Sequence, residues 1–222
     1  MSSLQLFSKR LRSKKELMVC IFVTLIIQLC ISIGTLKLDY KHNILGKTNS
    51  IIISIALFII LIVIIVIIAN TNAPFILKQL LFGILSIIVG LILSQSIHII
   101  NDPNIIESAA ISTLINFLLM LVIGLIIVYF NYDLGWVGLF LLISLFVIIT
   151  LSIINKFSTH SSNLNKGIAF VTIIIFSLYI LYDTNNILLK YQNKNTTHCI
   201  IGALDYYIDI WNLFTSYLII ND

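Results

Sequence analysis

From its N-terminus onward the chain alternates long apolar runs with short polar breaks. Seven runs stand out, at about residues 17 to 36, 50 to 69, 76 to 98, 108 to 130, 134 to 154, 167 to 190 and 197 to 220. A helix needs roughly 20 apolar residues to cross a bilayer, so the pattern predicts seven membrane-spanning helices joined by short connections. The second run is the cleanest, with Ser54 as the only polar side chain between Ile51 and Ala69. The seventh is the weakest, because Asp205, Asp209 and Asn212 interrupt it. A hydropathy scan alone would drop it, yet a helix that is apolar all round faces lipid, and one with polar groups on one side packs in a bundle centre. Asn70 to Pro74 reads as a helix break and Asn101-Asp102-Pro103-Asn104 as a turn. Ser86, Gly90 and Ser94, four apart on the third run, make a narrow face that a neighbouring backbone can approach.

Composition supports the same architecture. Charged residues are 10% of the 222 and hydrophobic residues 59%, against about 25% charged in an ordinary soluble domain. That excludes a soluble globule and leaves no length for a second water-soluble domain, a nucleic-acid module or a repeat array. The expected organisation is a basic tail over 1–16, a seven-helix transmembrane domain over 17–220 and a two-residue end at 221–222. No nucleic-acid partner is expected; partners lie in or beside the lipid bilayer. The first run is longer than a signal-peptide core and lacks a small-x-small cleavage site, so it reads as a retained span.

Orientation follows from the lysines and arginines. With the N-terminus inside, the inner face collects Lys9, Arg10, Arg12, Lys14, Lys15, Lys78, Lys190 and Lys194, and the outer face Lys37, Lys41, Lys47, Lys156 and Lys166. The excess, concentrated beside the first span, places the N-terminus in the cytoplasm and the C-terminus outside. The sequon Asn195-Thr196-Thr197 then faces the cytoplasm and should stay unmodified. Cys20, Cys30 and Cys199 are odd in number and without metal-ligand spacing, which argues against a disulfide framework.

Three carboxylates lie within spans: Asp183, Asp205 and Asp209. An ionisable group near mid-bilayer costs about 3 kcal/mol on insertion scales, which makes it a candidate for function. Asp183 and Asp205 could instead reach cytoplasmic water from near a helix end. At about 1.5 Å per residue, Asp183 lies about 10 Å from the inner end of the sixth helix, and Asp205 and Asp209 about 12 and 18 Å into the seventh. All three can therefore approach one layer. Two carboxylates in poorly solvated surroundings resist simultaneous ionisation and hold a shared proton, a pH-sensitive clasp. Deprotonated, the same oxygens suit Ca²⁺, with Asn185, Asn186 and Asn212 nearby to add amide oxygens. No Lys or Arg falls within the sixth and seventh runs to neutralise them. His98 and His198 sit at span ends, where solvation explains them.

Phe176-Ser177-Leu178-Tyr179-Ile180-Leu181-Tyr182-Asp183 and Ala203-Leu204-Asp205-Tyr206-Tyr207-Ile208-Asp209-Ile210-Trp211-Asn212-Leu213-Phe214 resemble the two closing helices of the Bax inhibitor-1 family, also called the transmembrane BAX inhibitor motif or lifeguard family. Gln28-Leu29, Gly90-Leu91, Ser112-Thr113 with Phe117, and Asp133-Leu134 extend the resemblance over nearly the whole chain. It implies an all-α membrane protein, a seven-transmembrane-helix bundle around a central C-terminal helix. It also implies a pH-sensitive calcium leak channel and, in eukaryotic and viral members, an inhibitor of apoptosis acting beside cell-death regulatory membrane proteins. The family's proton-sharing pair falls on Asp183 and Asp209, which would bind Ca²⁺ transiently as the permeant ion, with no resident cofactor. Asp205, Asn186 and Asn212 then mark the ion pathway. The implied location is the endoplasmic reticulum or Golgi in a eukaryotic or viral setting and the plasma membrane in a bacterial one. The chain departs from the family at Val89, where a glutamate is common, at Asn72, Ala73 and Pro74, where bacterial members carry arginines, and at Asp205, an additional acid. Lys78 is a displaced substitute for the arginine that latches the pair.

Among alternatives, an intramembrane aspartyl protease would use Tyr182-Asp183 with Gly202-Ala203-Leu204-Asp205, but Leu204 stands where that chemistry has glycine and no Pro-Ala-Leu segment is present. The chain is therefore not expected to be an enzyme. A proton-coupled transporter would show internal repeats or helices broken at mid-membrane, which this chain lacks. A non-conducting scaffold that regulates cell-death proteins leaves no motif and is the reading that competes with the leak.

Overall fold

The computed structural model describes residues 3–42, 51–71, 73–100, 102–157, 162–191 and 196–222. Its helices are α1 (Ser3–His42), α2 (Ile51–Asn70), α3 (Phe75–Ile100), α4 (Pro103–Tyr129), α5 (Val137–Phe157), α6 (Ser162–Leu189) and α7 (Thr196–Asn221). There is no strand among the described residues, so the protein is an all-α membrane protein. Five helices, α1, α3, α4, α5 and α6, are long and apolar enough to cross a bilayer; the apolar described stretch of α2, Ala56–Asn70, is shorter. The aspartates and Asn212 keep α7 below that level of hydropathy.

Several boundaries move from those the apolar pattern predicts, each for a local reason. The basic tail is helical and continuous with α1. Pro103 takes the first position of α4 instead of a turn, where its missing N–H leaves no bond unmade. At the other end of α4, Asn131 adopts a left-handed conformation with φ of 62°. Its N–H donates to the Val128 carbonyl at 3.0 Å and the Tyr132 N–H to the Ile127 carbonyl at 3.3 Å, a Schellman closure. Asp133 and Leu134 therefore lie in a turn, not at the opening of α5. Asn195 of the sequon lies outside the described residues.

The helices group into two compact units, and α1 and α7 contribute to both. The first unit comprises Met1–Lys15, Pro103–Asn193 and Ile208–Asp222. Here α4 and α5 both pack along α6, with Leu141, Ile148 and Ile175 at the α5–α6 core. Ser177 meets Asn116, and Thr184 meets Gly124 about two turns further along both helices, so α4 and α6 run parallel. Tyr217 meets Asn116 and Asn221 meets Ser108, so α7 runs antiparallel to α4. Phe7 packs edge-on against Tyr129, the Lys14 ammonium donates to the Tyr191 carbonyl, and Lys190 pairs with Asp133 at 3.5 Å. The basic tail, the α4–α5 turn and the end of α6 thus gather at one end of this unit, as alternating spans require.

The second unit comprises Glu16–Asp102 and Lys194–Tyr207. An ideal Cβ on Gly90 would stand 2.5 Å from the Ser32 carbonyl oxygen and 2.9 Å from Thr35 Cβ, so only glycine lets α3 approach α1 this closely. Beside it, the Ser86 hydroxyl donates to Gln28 Oε1 at 2.8 Å, and the Ser32 and Tyr207 hydroxyls lie 2.6 Å apart. Phe82 meets the Tyr207 ring edge-on at 5.2 Å. The stripe of small residues on α3 is thus a packing face.

One expectation is corrected in this unit. Cys20 and Cys199 form a disulfide, with Cα atoms 5.8 Å apart across a sequence separation of 179, while Cys30 remains free and exposed. Counting cysteines does not reveal that the first and last helices meet. Lys78 sits in the first turn of α3, at the start of the third span as expected, and is 1% exposed; its Nζ has no hydrogen-bond partner among the described residues.

Candidate functional site

Exposure explains why α7 tolerates polar residues. Phe58, Ile59, Val63 and Val66 of α2 are about half exposed, a surface suited to lipid, whereas Ala203, Leu204, Tyr206 and Tyr207 of α7 are 3% exposed or less. Those four side chains cover about half of the helix circumference, and Asp205 and Ile208 on the other side are half-buried, so this stretch is largely covered by protein.

Within the first unit, α6 and α7 carry the two acids. Asp183 is 8% exposed and Asp209 2%. Tyr179 stands one turn before Asp183 on the same face of α6, and both carboxylates are close enough to act electrostatically on its phenol. The three groups therefore share one neighbourhood. Tyr182, adjacent in sequence to Asp183, acts on the same phenol and reaches α5: an ideal Cβ on Gly138 would stand 2.5 Å from the Tyr182 hydroxyl, so that glycine leaves room for the ring. Gly124 does the same for Thr184, whose Cβ would lie 2.9 Å from an added methyl.

The amides divide. Asn186 is half-buried, and its Oδ1 has no hydrogen-bond partner among the described residues, which leaves an oxygen free to act as a ligand. Asn212 donates its Nδ2 to the Ile208 carbonyl at 2.8 Å, within its own helix. Asn185, also named above as a source of ligand oxygen, is fully committed: its Nδ2 donates to the Tyr132 carbonyl at 2.7 Å and its Oδ1 accepts from the Leu134 N–H at 3.1 Å. It pins the α4–α5 turn to α6. Asp205 is half-buried and lies one turn before Asp209 on α7.

Among the described residues no group of three or more His, Cys, Asp or Glu is arranged to hold a metal ion. Two carboxylates and an amide oxygen fall short of the 6 to 8 oxygens that Ca²⁺ takes, so a cation here would keep part of its water. Sequence reasoning passed over two features. One is Tyr179, although it lies inside the quoted motif. The other is a chain of polar contacts linking three helices: Asn116 Nδ2 donates to the Tyr217 hydroxyl at 2.9 Å, and the Ser177 hydroxyl donates to Asn116 Oδ1 at 3.0 Å. A single asparagine inside an apolar run was the available signal, because its amide must find partners in lipid or in the bundle.

Residues 12–221 match the model of a family described as "Inhibitor of apoptosis-promoting Bax1". The chain is also 43% identical over 86 residues to an uncharacterised protein of Campylobacter jejuni, a match covering 39% of this chain and 35% of that one. An uncharacterised protein of Helicobacter pylori is 38% identical over 101 residues, covering 44% of this chain and 42% of the relative. These matches span roughly two-fifths or less of the length of the curated relatives.

Proposed function

The chain belongs to the Bax inhibitor-1 family, and from that premise we propose that it is a pH-sensitive calcium leak whose gate is a proton shared by Asp183 and Asp209. One observation carries the reading: two buried carboxylates both act on the Tyr179 phenol, with no Lys or Arg in α7 and the one basic residue of α6, Lys166, more than four turns from Asp183.

Two carboxylates in a medium of low dielectric cannot both ionise cheaply. While they hold one proton between them, it bridges α6 to α7 and the clasp is closed. As pH rises and that proton is lost, repulsion between the two charges opposes the clasp, and the freed oxygens become ligands for a hard cation. Asn186 Oδ1 adds a neutral oxygen from the same turn of α6. The closed state thus belongs to the acid side of the transition and conduction to the alkaline side. The tail, the α4–α5 turn and the end of α6 form the cytoplasmic end in this reading, following the excess of basic residues in the tail. Similarity to bacterial proteins favours the plasma membrane. Suppression of cell death through membrane partners is the family's described role, and the leak is its physical means here.

The test is Ca²⁺ flux into liposomes on both sides of the transition, with equal protein incorporation. Asp209→Asn should lower flux on the alkaline side and flatten the pH profile, and Asp209→Glu should keep part of it, because it restores the charge one methylene further out. Asp183→Asn should also flatten the profile. Unchanged flux at both pH values in both Asn variants and in the double variant would return the non-conducting scaffold to first place.

A further inference from the structure

The first unit contains an open cleft along α4. Two shallow, open depressions of about 330 and 310 Å³ adjoin there. Asn104, Glu107, Ser108 and Ser112 line one, and Ser112, Asn116, Met120 and Tyr217 line the other. Ser112 is common to both, so the cleft runs from the first turn of α4 to its middle.

Its deep end is marked by the polar chain already described. Tyr217 follows Asp209 by eight residues on α7, about 12 Å, and Ser177 precedes Asp183 by six on α6, about 9 Å. With α4 and α6 parallel and α7 antiparallel to them, both acids lie on the same side of the Tyr217–Asn116–Ser177 contacts, away from the start of α4. Cleft, polar chain and acidic layer therefore follow one another along the unit. The wall of the cleft carries hydroxyls, amides and the exposed carboxylate of Glu107, a charge that draws cations toward the mouth. The rest of its lining is apolar, with Ile111 51%, Ile115 60% and Leu119 54% exposed.

We propose that this cleft is a water-filled vestibule for a hydrated cation, closed at its deep end by the hydrogen-bonded Tyr217, Asn116 and Ser177. The proposal rests on the leak reading above, for which it supplies the route between one face of the membrane and the acidic layer. Contacts that merely hold three helices together would need no polar wall leading up to them.

The test uses thiol modification, which does not depend on flux. In full-length protein with Cys30→Ser, reconstituted in sealed vesicles, Ser112→Cys is exposed to a membrane-impermeant cationic methanethiosulfonate reagent from each face in turn. It should react from the face at which α4 begins, and faster than Leu118→Cys, whose parent side chain is half exposed on the same helix. Leu213→Cys, one turn from Tyr217 toward Asp209 and fully buried, should be protected. Combined with Tyr217→Ala, it should become reactive from the same face; with Tyr217→Phe, which keeps the ring and loses the hydroxyl, the rate should fall between. If Ser112→Cys reacts no faster than Leu118→Cys, the cleft is filled with lipid and the vestibule is overturned. If Leu213→Cys stays protected with Tyr217→Ala, the gate is overturned. A wild-type protein that passes no Ca²⁺ while both modification results hold would overturn the leak reading alone.

Discussion

Two buried polar clusters in this protein look alike in composition and differ in chemistry. The one in the second unit, Gln28, Ser32, Ser86 and Tyr207, is neutral, and its hydroxyls pair with one another, with the Gln28 side-chain oxygen or with backbone carbonyls. The one in the first unit is acidic, with Asp183 and Asp209 gathered about Tyr179. Neutral groups that satisfy each other contribute cohesion and respond little to the medium. Paired carboxylates respond to pH by their nature, because the energy of the second charge depends on whether a proton is present. Buried polarity by itself therefore does not mark function in a membrane bundle, and titratable polarity several turns from any basic residue of its own helix is the more informative sign.

The comparison is broken most severely by crowding the neutral cluster. Gly90→Leu forces atoms onto the Ser32 carbonyl and should cost about 3 kcal/mol or more, read as a large fall in the melting temperature in detergent. Gly83→Ala on the same helix, with nothing within 4 Å of its added methyl, should leave it unchanged.

The disulfide gives the next effect. Unreduced denatured protein should show one reactive thiol and reduced protein three, by mass after alkylation. Cys20→Ser should lower stability by about 2 kcal/mol, toward the low end for disulfides because membrane helices stay inserted when they come apart.

For the acidic cluster the sign is set by ionisation of the second carboxylate. Wild-type stability should fall by about 1–2 kcal/mol as pH rises through the loss of the shared proton, and Asp183→Asn or Asp209→Asn should abolish that dependence. Melting curves collected across pH measure both. Ser32→Ala provides the contrast. It should cost about 1 kcal/mol and leave the pH dependence of melting as in wild type, and a flattened dependence there would mean that the two clusters are coupled.

The amino-acid order alone determined the seven helices, because an apolar run of spanning length has no other way to satisfy its backbone in lipid. It also singled out Asp183, Asp205 and Asp209, since a carboxylate in such a run is costly enough to stand out, while the pairing of Asp183 with Asp209 came from the family resemblance. The family match likewise covers what the two closing motifs announce. Only the tertiary structure decided what each polar group meets. Asn185 and Asn186 are neighbours in sequence and look equally suited to bind an ion, yet the helical turn of about 100° per residue aims Asn185 at the α4–α5 turn and leaves the Asn186 oxygen without a partner among the described residues. The Cys20–Cys199 bond, the grip of Gly90 on α1 and the contact of Asn116 with Ser177 and Tyr217 join residues far apart along the chain. Such pairings follow from which helix faces pack together, and periodicity within a single helix does not contain that information.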